Sequence, residues 1–484
     1  MADALNLLLQ VRGLKLGMLP TKGRCLFAAR RFLPGEAVLD QSPYASALNS
    51  TGKRCDGCYK EDCKLQECSL CKSVWYCSKA CQEQEQVIHK YECKCLSMLM
   101  AEKGRELTPS LRLMLRLLIR KCLEKEMADS VNPFDAYELV ELLPTHFEET
   151  SEQQLILYAQ MANLLRITYN YGELGNVDIK EITHNFCRFA CNAHTITDAE
   201  LRPLGIGLYP VISIINHSCQ PNCILLFEGK KAYVRAIQEI SEGMEVTLSY
   251  VDLGDNTLTR LQNLKLQYFF NCVCPRCLPK ATSDKMLDND HMEGFLCPIP
   301  KCKGLLITNQ EYSEKMLCKT CGKETDKSKV LDKLKSFDCY LDDGLRHLSI
   351  GNLGRAKQAF EKLDQVQTSL LQKSSLHRIK TYDNLLKICM AMEDWVSALV
   401  YCHKAIKVYE RVYLPNHPLL GLQHYTCGKL EWFLGKADDA TKSYRQALSI
   451  LEITHGSHSE LVQSLKVALQ EAEMEALYIR RLVE

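Results

Sequence analysis

Ile215-Asn216-His217-Ser218-Cys219-Gln220-Pro221-Asn222 follows a glycine-punctuated approach, Gly205-Ile206-Gly207-Leu208-Tyr209-Pro210, and opens a stretch of β character. Cys223-Ile224-Leu225-Leu226-Phe227, the turn Glu228-Gly229, Ala232 to Ile237 and Glu245 to Tyr250 predict three short strands. Taken alone, Asn216 and His217 read as core polar groups with their hydrogen bonds satisfied. Tyr250, closing the third strand, reads as half-buried packing.

Upstream, residues 1–54 carry short apolar runs broken by turns, as in Phe32-Leu33-Pro34-Gly35-Glu36 before Ala37-Val38-Leu39, and read as β-rich. Residues 55–95 are dense in cysteine. From about 96 to 190 the pattern is helical, with Thr108-Pro109 as an N-cap and first-position proline. There Leu111, Met114, Leu115 and Leu118 share one face, while Arg112, Arg116 and Arg120 share another. Lys280 to Glu293 reads as a polar connector. Beyond about 330 the chain is helical, and Ala356/Phe360/Leu363, Ala398/Cys402/Ala405 and Ala440/Tyr444/Ala447 recur 42 residues apart. Such faces suit stacked hairpins of the tetratricopeptide kind, although that repeat has a period of about 34 residues. Three unrelated amphipathic helices are the alternative.

With 484 residues, two to four domains are expected, and 46 % hydrophobic residues suffice for full cores. Sixty basic residues against fifty-nine acidic ones leave a net charge of +1, which gives no drive to bind duplex DNA non-specifically. Met1-Ala2-Asp3-Ala4-Leu5 lacks the basic start of a signal peptide, and no run reaches the ~18 apolar residues of a membrane span. The chain is therefore expected in a reducing, intracellular setting, where closely spaced cysteines among its 26 read as metal ligands rather than disulfides.

Cys55-x2-Cys58, Cys68-x2-Cys71, Cys77-x3-Cys81 and His89-x3-Cys93 supply eight ligands in four pairs, which implies two tetrahedral zinc sites. A DNA-reading finger with one cysteine pair and one histidine pair does not fit. Cys63 and Cys95 fall outside the pattern. Cys272-x-Cys274-x2-Cys277 gives three thiolates, one short of a closed site. Cys297-x4-Cys302 with Cys318-x2-Cys321 has the layout of a zinc ribbon, with unpaired structural cysteines as the alternative.

The 55–93 segment, including Trp75-Tyr76 before Cys77, resembles a MYND finger. Lys22-Gly23-Arg24-Cys25-Leu26-Phe27-Ala28, the Asn216–Asn222 string and Gly243-Met244-Glu245-Val246-Thr247-Leu248-Ser249-Tyr250 resemble the halves of a SET domain. Together with the helical tail they are similar to the SMYD family of protein lysine methyltransferases, most of all to its plant members. The resemblance implies an α+β fold: a split, β-rich SET domain (8–54 and 191–252) interrupted by the MYND finger (55–93) and a helical insert (96–190). A post-SET zinc site (253–280), a zinc-ribbon-like insert (294–325) and an all-α repeat domain (330–484) complete it.

It also implies a site. Cys55, Cys58, Cys77 and Cys81 would hold one zinc ion and Cys68, Cys71, His89 and Cys93 the next, interleaved. Cys219 would complete the site of Cys272, Cys274 and Cys277; a ribbon at Cys297, Cys302, Cys318 and Cys321 would make a fourth. S-adenosylmethionine would lie against Lys22, Gly23, Arg24, His146, Asn216, His217, Tyr268, Phe269 and Phe270. The target lysine would pass Asn192 and His194 to reach Tyr250. An apolar tyrosine ring suits the wall of a partly dry channel, which lowers the amine pKa from ~10.4, and its hydroxyl can orient the uncharged amine. Family members often have glycine at Cys25 and an aromatic residue at Ala193-His194, so a substrate preference does not carry over. Histones and other lysine-bearing proteins are the expected substrates, proline-rich peptides the expected ligands of the finger, and nucleus and cytoplasm the expected compartments. A catalytically idle adaptor with the same finger and tail is the competing function.

Overall fold

The computed structural model describes residues 2–50, 52–61, 64–104, 106–126, 136–170, 172, 175–278, 292–308 and 314–483. Cys63 and all but the end of the connector read at Lys280 to Glu293 lie outside these residues. Two compact units divide the chain. The first comprises Met1–His217, Pro221–Leu248 and Lys265–Phe270; the second comprises Ser218–Gln220, Ser249–Leu264 and Asn271–Glu484.

The first unit begins α1 (Ala2–Val11), β1 (Leu14–Leu19), β2 (Gly23–Ala28), β3 (Ala37–Gln41) and β4 (Ala45–Leu48). The two-residue strands β5 (Gln66–Glu67) and β6 (Trp75–Tyr76) follow, then α2 (Lys79–Lys103), α3 (Pro109–Glu126), α4 (Tyr137–Glu141), α5 (Glu152–Asn170) and α6 (Ile179–Asn192). The chain returns to strands at β7 (Ala193–Thr197), β8 (Pro203–Leu208), β9 (Asn216–His217), β10 (Cys223–Glu228), β11 (Lys231–Ala236) and β12 (Thr247–Leu248). Helix α1 departs from the β reading of 1–54: Leu5 and Leu9, one helical turn apart, are buried in the core that also holds Leu14, Leu26 and Val38.

Small sheets stack around that core: the hairpin β1–β2, the sheet β10–β11–β3 and the sheet β4–β8–β7, all antiparallel. A parallel pair, β9 with β12, aligns Asn216 with Thr247 and His217 with Leu248. The third strand expected from 245 to 250 therefore shrinks to Thr247–Leu248, because its partner offers only two residues.

Helix α2 starts inside the cysteine segment. Ser78 caps it, accepting from Cys81 N at 3.2 Å, and Gly104 ends it in the left-handed region at φ 57°. Helix α3 begins at Pro109, and its Leu111, Met114, Leu115 and Leu118 enter a second core. Its arginine face is not solvated. Arg112 is 4 % and Arg116 5 % exposed. Arg112 bonds Asp56 at 2.6 Å and Glu92 at 2.8 Å, while Arg116 meets Glu92 at 3.5 Å and also pairs with Glu85. Glu85 in turn pairs with Lys230, at the β10–β11 turn. Next to it Gly229, at φ 60°, lies so near that an added Cβ would stand 2.4 Å from the Cys58 carbonyl oxygen.

The second unit contains most of α7 (Thr257–Tyr268), whose last four residues belong to the first unit. It continues with the sheet of β13 (Leu306–Thr308), β14 (Lys315–Cys318) and β15 (Glu324–Asp326). Then come α8 (Lys327–Ser349), α9 (Leu353–Leu370), α10 (Ile379–Ala391), α11 (Trp395–Val412), α12 (Pro418–Phe433), α13 (Ala437–His455) and α14 (Glu460–Val483). The recurring triplets lie on α9, α11 and α13 and are essentially inaccessible. Among the described residues no helix is long and apolar enough to cross a membrane.

A second set 42 residues apart explains how the repeats close. Gly344 faces Phe360 and Gly428 faces Tyr444; an added Cβ would stand 2.7 and 2.4 Å from those rings. In the middle hairpin the corresponding residues are Leu386 and Cys402, both buried in one cluster. Volume is thus conserved across the pair: glycine with a ring, leucine with a thiol. Gly428→Leu is expected to cost about 1–3 kcal/mol of overpacking, and Gly428→Leu with Tyr444→Cys to regain most of it. Denaturant midpoints check this; equal midpoints for single and double variants would count against it.

Candidate active site and metal centres

Zinc–thiolate bonds of about 2.3 Å in a tetrahedron set sulfurs about 3.8 Å apart. Cys55, Cys58, Cys77 and Cys81 bring their sulfurs within 4.8 Å of one another, with Cys58–Cys77 and Cys77–Cys81 both at 3.7 Å. Cys68, Cys71, His89 and Cys93 form the second group, with Cys68–Cys93 at 3.7 Å and His89 Nε2 3.5 Å from Cys68 Sγ. His89 Nδ1 lies 3.2 Å from the buried Glu92 carboxylate, which orients Nε2 toward the thiolates. Short strands β5 and β6 pair between the ligand turns, and Asp56 accepts from Trp75 N at 2.9 Å. The grouping is interleaved along the chain, and both donor sets fit zinc.

In the second unit Cys219, Cys272, Cys274 and Cys277 converge within 4.8 Å, with Cys219–Cys277 at 3.5 Å. Four thiolates around a divalent ion leave two negative charges. Arg260, 1 % exposed, places Nη2 4.0 Å from Cys277 Sγ. Arg276 donates to the Leu253 carbonyl at 2.9 Å; burial, with Arg260 close by, brings its pKa down to about 10. Cys297–Cys321 and Cys302–Cys318, each 3.7 Å apart, make a fourth group on the β13–β15 sheet.

A hydrogen-bonded clasp joins three distant stretches of the first unit. Lys22 Nζ meets Glu245 Oε2 at 2.6 Å, and Glu245 Oε1 accepts from Asn216 Nδ2 at 3.0 Å. The same Asn216 nitrogen reaches the Arg24 carbonyl at 3.1 Å. Arg24 itself reaches the Leu142 carbonyl. Asn222 holds the crossing: Nδ2 donates to the Glu245 carbonyl at 2.8 Å, and Oδ1 accepts from Thr247 N at 2.8 Å. At Gly23, φ is 73° and no atom lies within 4 Å of an added Cβ, so a ligand can approach the backbone.

Aromatic groups border the clasp residues. His146, at φ 47°, stacks on Phe269 with centroids 4.9 Å apart, and His217 lies 6.0 Å from Phe270. Burial pushes the Tyr268 phenol up to about 12. Asn192 is buried, its Nδ2 donating to the carbonyls of Arg188 at 2.8 Å and Pro144 at 3.0 Å. Its own carbonyl accepts from Ser213 Oγ at 3.2 Å, and that oxygen lies 3.2 Å from His194 Nε2. Burial takes His194 down to about 4, so its ring is neutral near pH 7.

A SET-domain family model matches residues 23–251, and a tetratricopeptide-repeat model matches 378–453. Over 480 residues the chain is 42 % identical to Histone-lysine N-methyltransferase ASHR1 of Arabidopsis thaliana, covering 99 % of each protein. The chain belongs to the SMYD family. It is 29 % identical to Histone-lysine N-methyltransferase SMYD3 of Homo sapiens, over 93 % of this chain and 96 % of that protein. N-lysine methyltransferase SMYD2-B of Xenopus laevis matches at 29 %, over 95 % and 99 %. The SMYD chain is thus a lysine N-methyltransferase, and its SET domain implies S-adenosylmethionine as methyl donor.

In this SMYD protein the structure joins Lys22, Arg24 and Asn216 in one network, stacks His146 on Phe269 and sets His217 near Phe270. Tyr250 lies in the second unit, half-buried, two residues beyond the end of β12 rather than within a strand. Sequence reading missed Glu245 and Asn222 as positioning groups. Both stood in the quoted strings, an amide one residue before β10 and an acid two residues before β12.

Proposed function

We propose that the protein moves a methyl group from S-adenosylmethionine to the ε-amine of lysines in protein substrates, histones among them. The clasp of Lys22, Glu245, Asn216 and the Arg24 carbonyl supports this most directly, since it brings three residues assigned to the cofactor, Lys22, Arg24 and Asn216, into one network. Lys22, Gly23, Arg24, Asn216 and His217 would hold the methionine and adenine parts, with His146, Tyr268, Phe269 and Phe270 along the rim. The bound cofactor supplies an electrophilic methyl on a sulfonium. The substrate ammonium must give its proton to water before it can accept that methyl, and the chain's part would be to hold the uncharged amine in line with it. Near-attack positioning contributes much of the rate.

In this reading the Tyr250 hydroxyl orients the neutral amine, with Asn192 and His194 along the lysine's path. The histone substrate rests on the names of ASHR1 and SMYD3, both histone-lysine N-methyltransferases. Four zinc ions hold the scaffold, the finger docks proline-rich peptides, and the protein divides between nucleus and cytoplasm; fractionation of tagged protein checks the last point. Radiolabelled methyl transfer to a histone mixture is expected in the wild type. Tyr250→Phe should lower it about 10²-fold with cofactor binding unchanged. No labelling of histones would remove them as substrates; labelling indifferent to Tyr250→Phe would remove the phenol from the channel.

A further inference from the structure

Among the described residues, one more set of metal-binding donors converges apart from the four cysteine groups, in the helical repeats. Cys427 and Glu431 are four residues apart on α12 and so share a face, and His403 reaches them from the preceding helix α11. Their donor atoms all lie within 4.8 Å of one another, and His403 Nε2 is 3.1 Å from Glu431 Oε1. Bonds of about 2.0 Å at a tetrahedral metal set such N and O ligands about 3.3 Å apart. Cys427 is 2 % and Glu431 4 % exposed, whereas the His403 ring is about half exposed. The group thus has a buried floor and one side open to water. Ser443, on α13, donates to Glu431 Oε2 at 2.6 Å and fixes the carboxylate, as the outer partners of metal ligands do.

An imidazole–carboxylate hydrogen bond accounts for two of these three groups. The Cys427 thiol completes the group, and a cation shared by all three would take nitrogen, sulfur and oxygen at once. Nitrogen, thiolate and carboxylate form the mixed donor set of a borderline divalent ion, and three protein ligands with a solvent-facing fourth position is the open zinc geometry.

We propose that His403, Cys427 and Glu431 bind one zinc-class divalent cation, with water as fourth ligand, on the α11–α12 hairpin. On binding, the Cys427 thiol releases its proton to solvent and its sulfur pair enters the metal bond. The ion pins two successive helices of the repeat array, independent of the cysteine groups that the methyl-transfer reading uses.

The test titrates full-length protein holding four zinc equivalents, the number its four cysteine groups take, with Co2+ while following its zinc content. One further equivalent of Co2+ is expected, with a thiolate charge-transfer band and no zinc released. His403→Ala removes an exposed ring and leaves the hairpin packing alone, so it should lose that equivalent while keeping the zinc content and helical circular dichroism of the wild type. Cys427→Ala should abolish the charge-transfer band. No further equivalent, uptake matched by zinc release, or uptake and band unchanged in His403→Ala would each overturn the assignment.

Discussion

Glu92→Ala is expected to destabilise the first unit by about 3–5 kcal/mol, because it breaks a buried charge network by removing one partner only. Glu92 has no exposed surface and stands between Arg112, Arg116 and the Nδ1 edge of His89, opposite the nitrogen that faces the thiolates. Its loss leaves two guanidiniums with fewer counter-charges inside a core, where solvent cannot screen them. His89 Nδ1 also loses its acceptor, which for a metal-ligating imidazole lowers affinity about 10–100-fold. Denaturation and zinc release should therefore shift together, and an unchanged denaturant midpoint would refute the network's role.

The same residues give a pH signature. Burial alone would raise the Glu92 carboxyl, but Arg112 and Arg116 hold it well below the usual carboxylate range. Burial would likewise raise Glu85, but Arg116 and Lys230 overcome it and hold that carboxyl below its usual value. Folded values below unfolded ones mean that the stabilisation is complete above the unfolded carboxyl pKa, about 4.3, and fades as pH falls through the lowered folded values. Glu92→Ala should accordingly lose more stability at pH 7 than at acid pH, narrowing the gap to wild type on acidification.

That network was hidden in the sequence for a physical reason. Arg112 and Arg116 stand four residues apart, opposite an apolar stripe, which is also how a solvated helix face reads. Their partners lie as far away as Asp56, and no local spacing announces a pair closed through folding. Most metal ligands were legible because tetrahedral coordination writes itself as short gaps, whereas Cys219, 53 residues before Cys272, and the interleaved grouping came only from the family resemblance. Helix α2 ran through the boundary read between finger and helical insert, since His89 and Cys93 present ligands from a helical turn that simply continues to Lys103. The repeats were legible at their buried triplets. Their glycine partners were not, because Gly344 and Gly428 acquire meaning only once Phe360 and Tyr444 are packed over them. In the site, Asn216 and His217 could be quoted from the motif, whereas the Asn222 crossing needed the parallel register of β9 and β12.

Cys274→Ser is expected to lose one zinc ion and to drop methyl transfer to background while the rest of the chain stays folded. Binding of a structural zinc ion contributes about 10–16 kcal/mol to the fold that holds it, and three remaining thiolates with a neutral hydroxyl keep only part of that. The cost falls locally. The helical repeats close their own clusters, and the first unit has its own cores, so helical circular dichroism should barely change. The catalytic cost follows from chain connectivity. Cys219 comes two residues after His217, and Cys272 two residues after Phe270, so a single metal ties off the chain just beyond two stretches assigned to the cofactor. Releasing it frees both ends; a misplacement of about 1 Å at a reacting centre already costs on the order of 10²-fold. Arg260, beside Cys277, would also keep its buried charge as thiolate charge is lost, favouring rearrangement of this segment. Metal analysis, circular dichroism and radiolabelled transfer on the same preparation decide the matter: full activity with one fewer zinc would show that this metal does not serve the reaction.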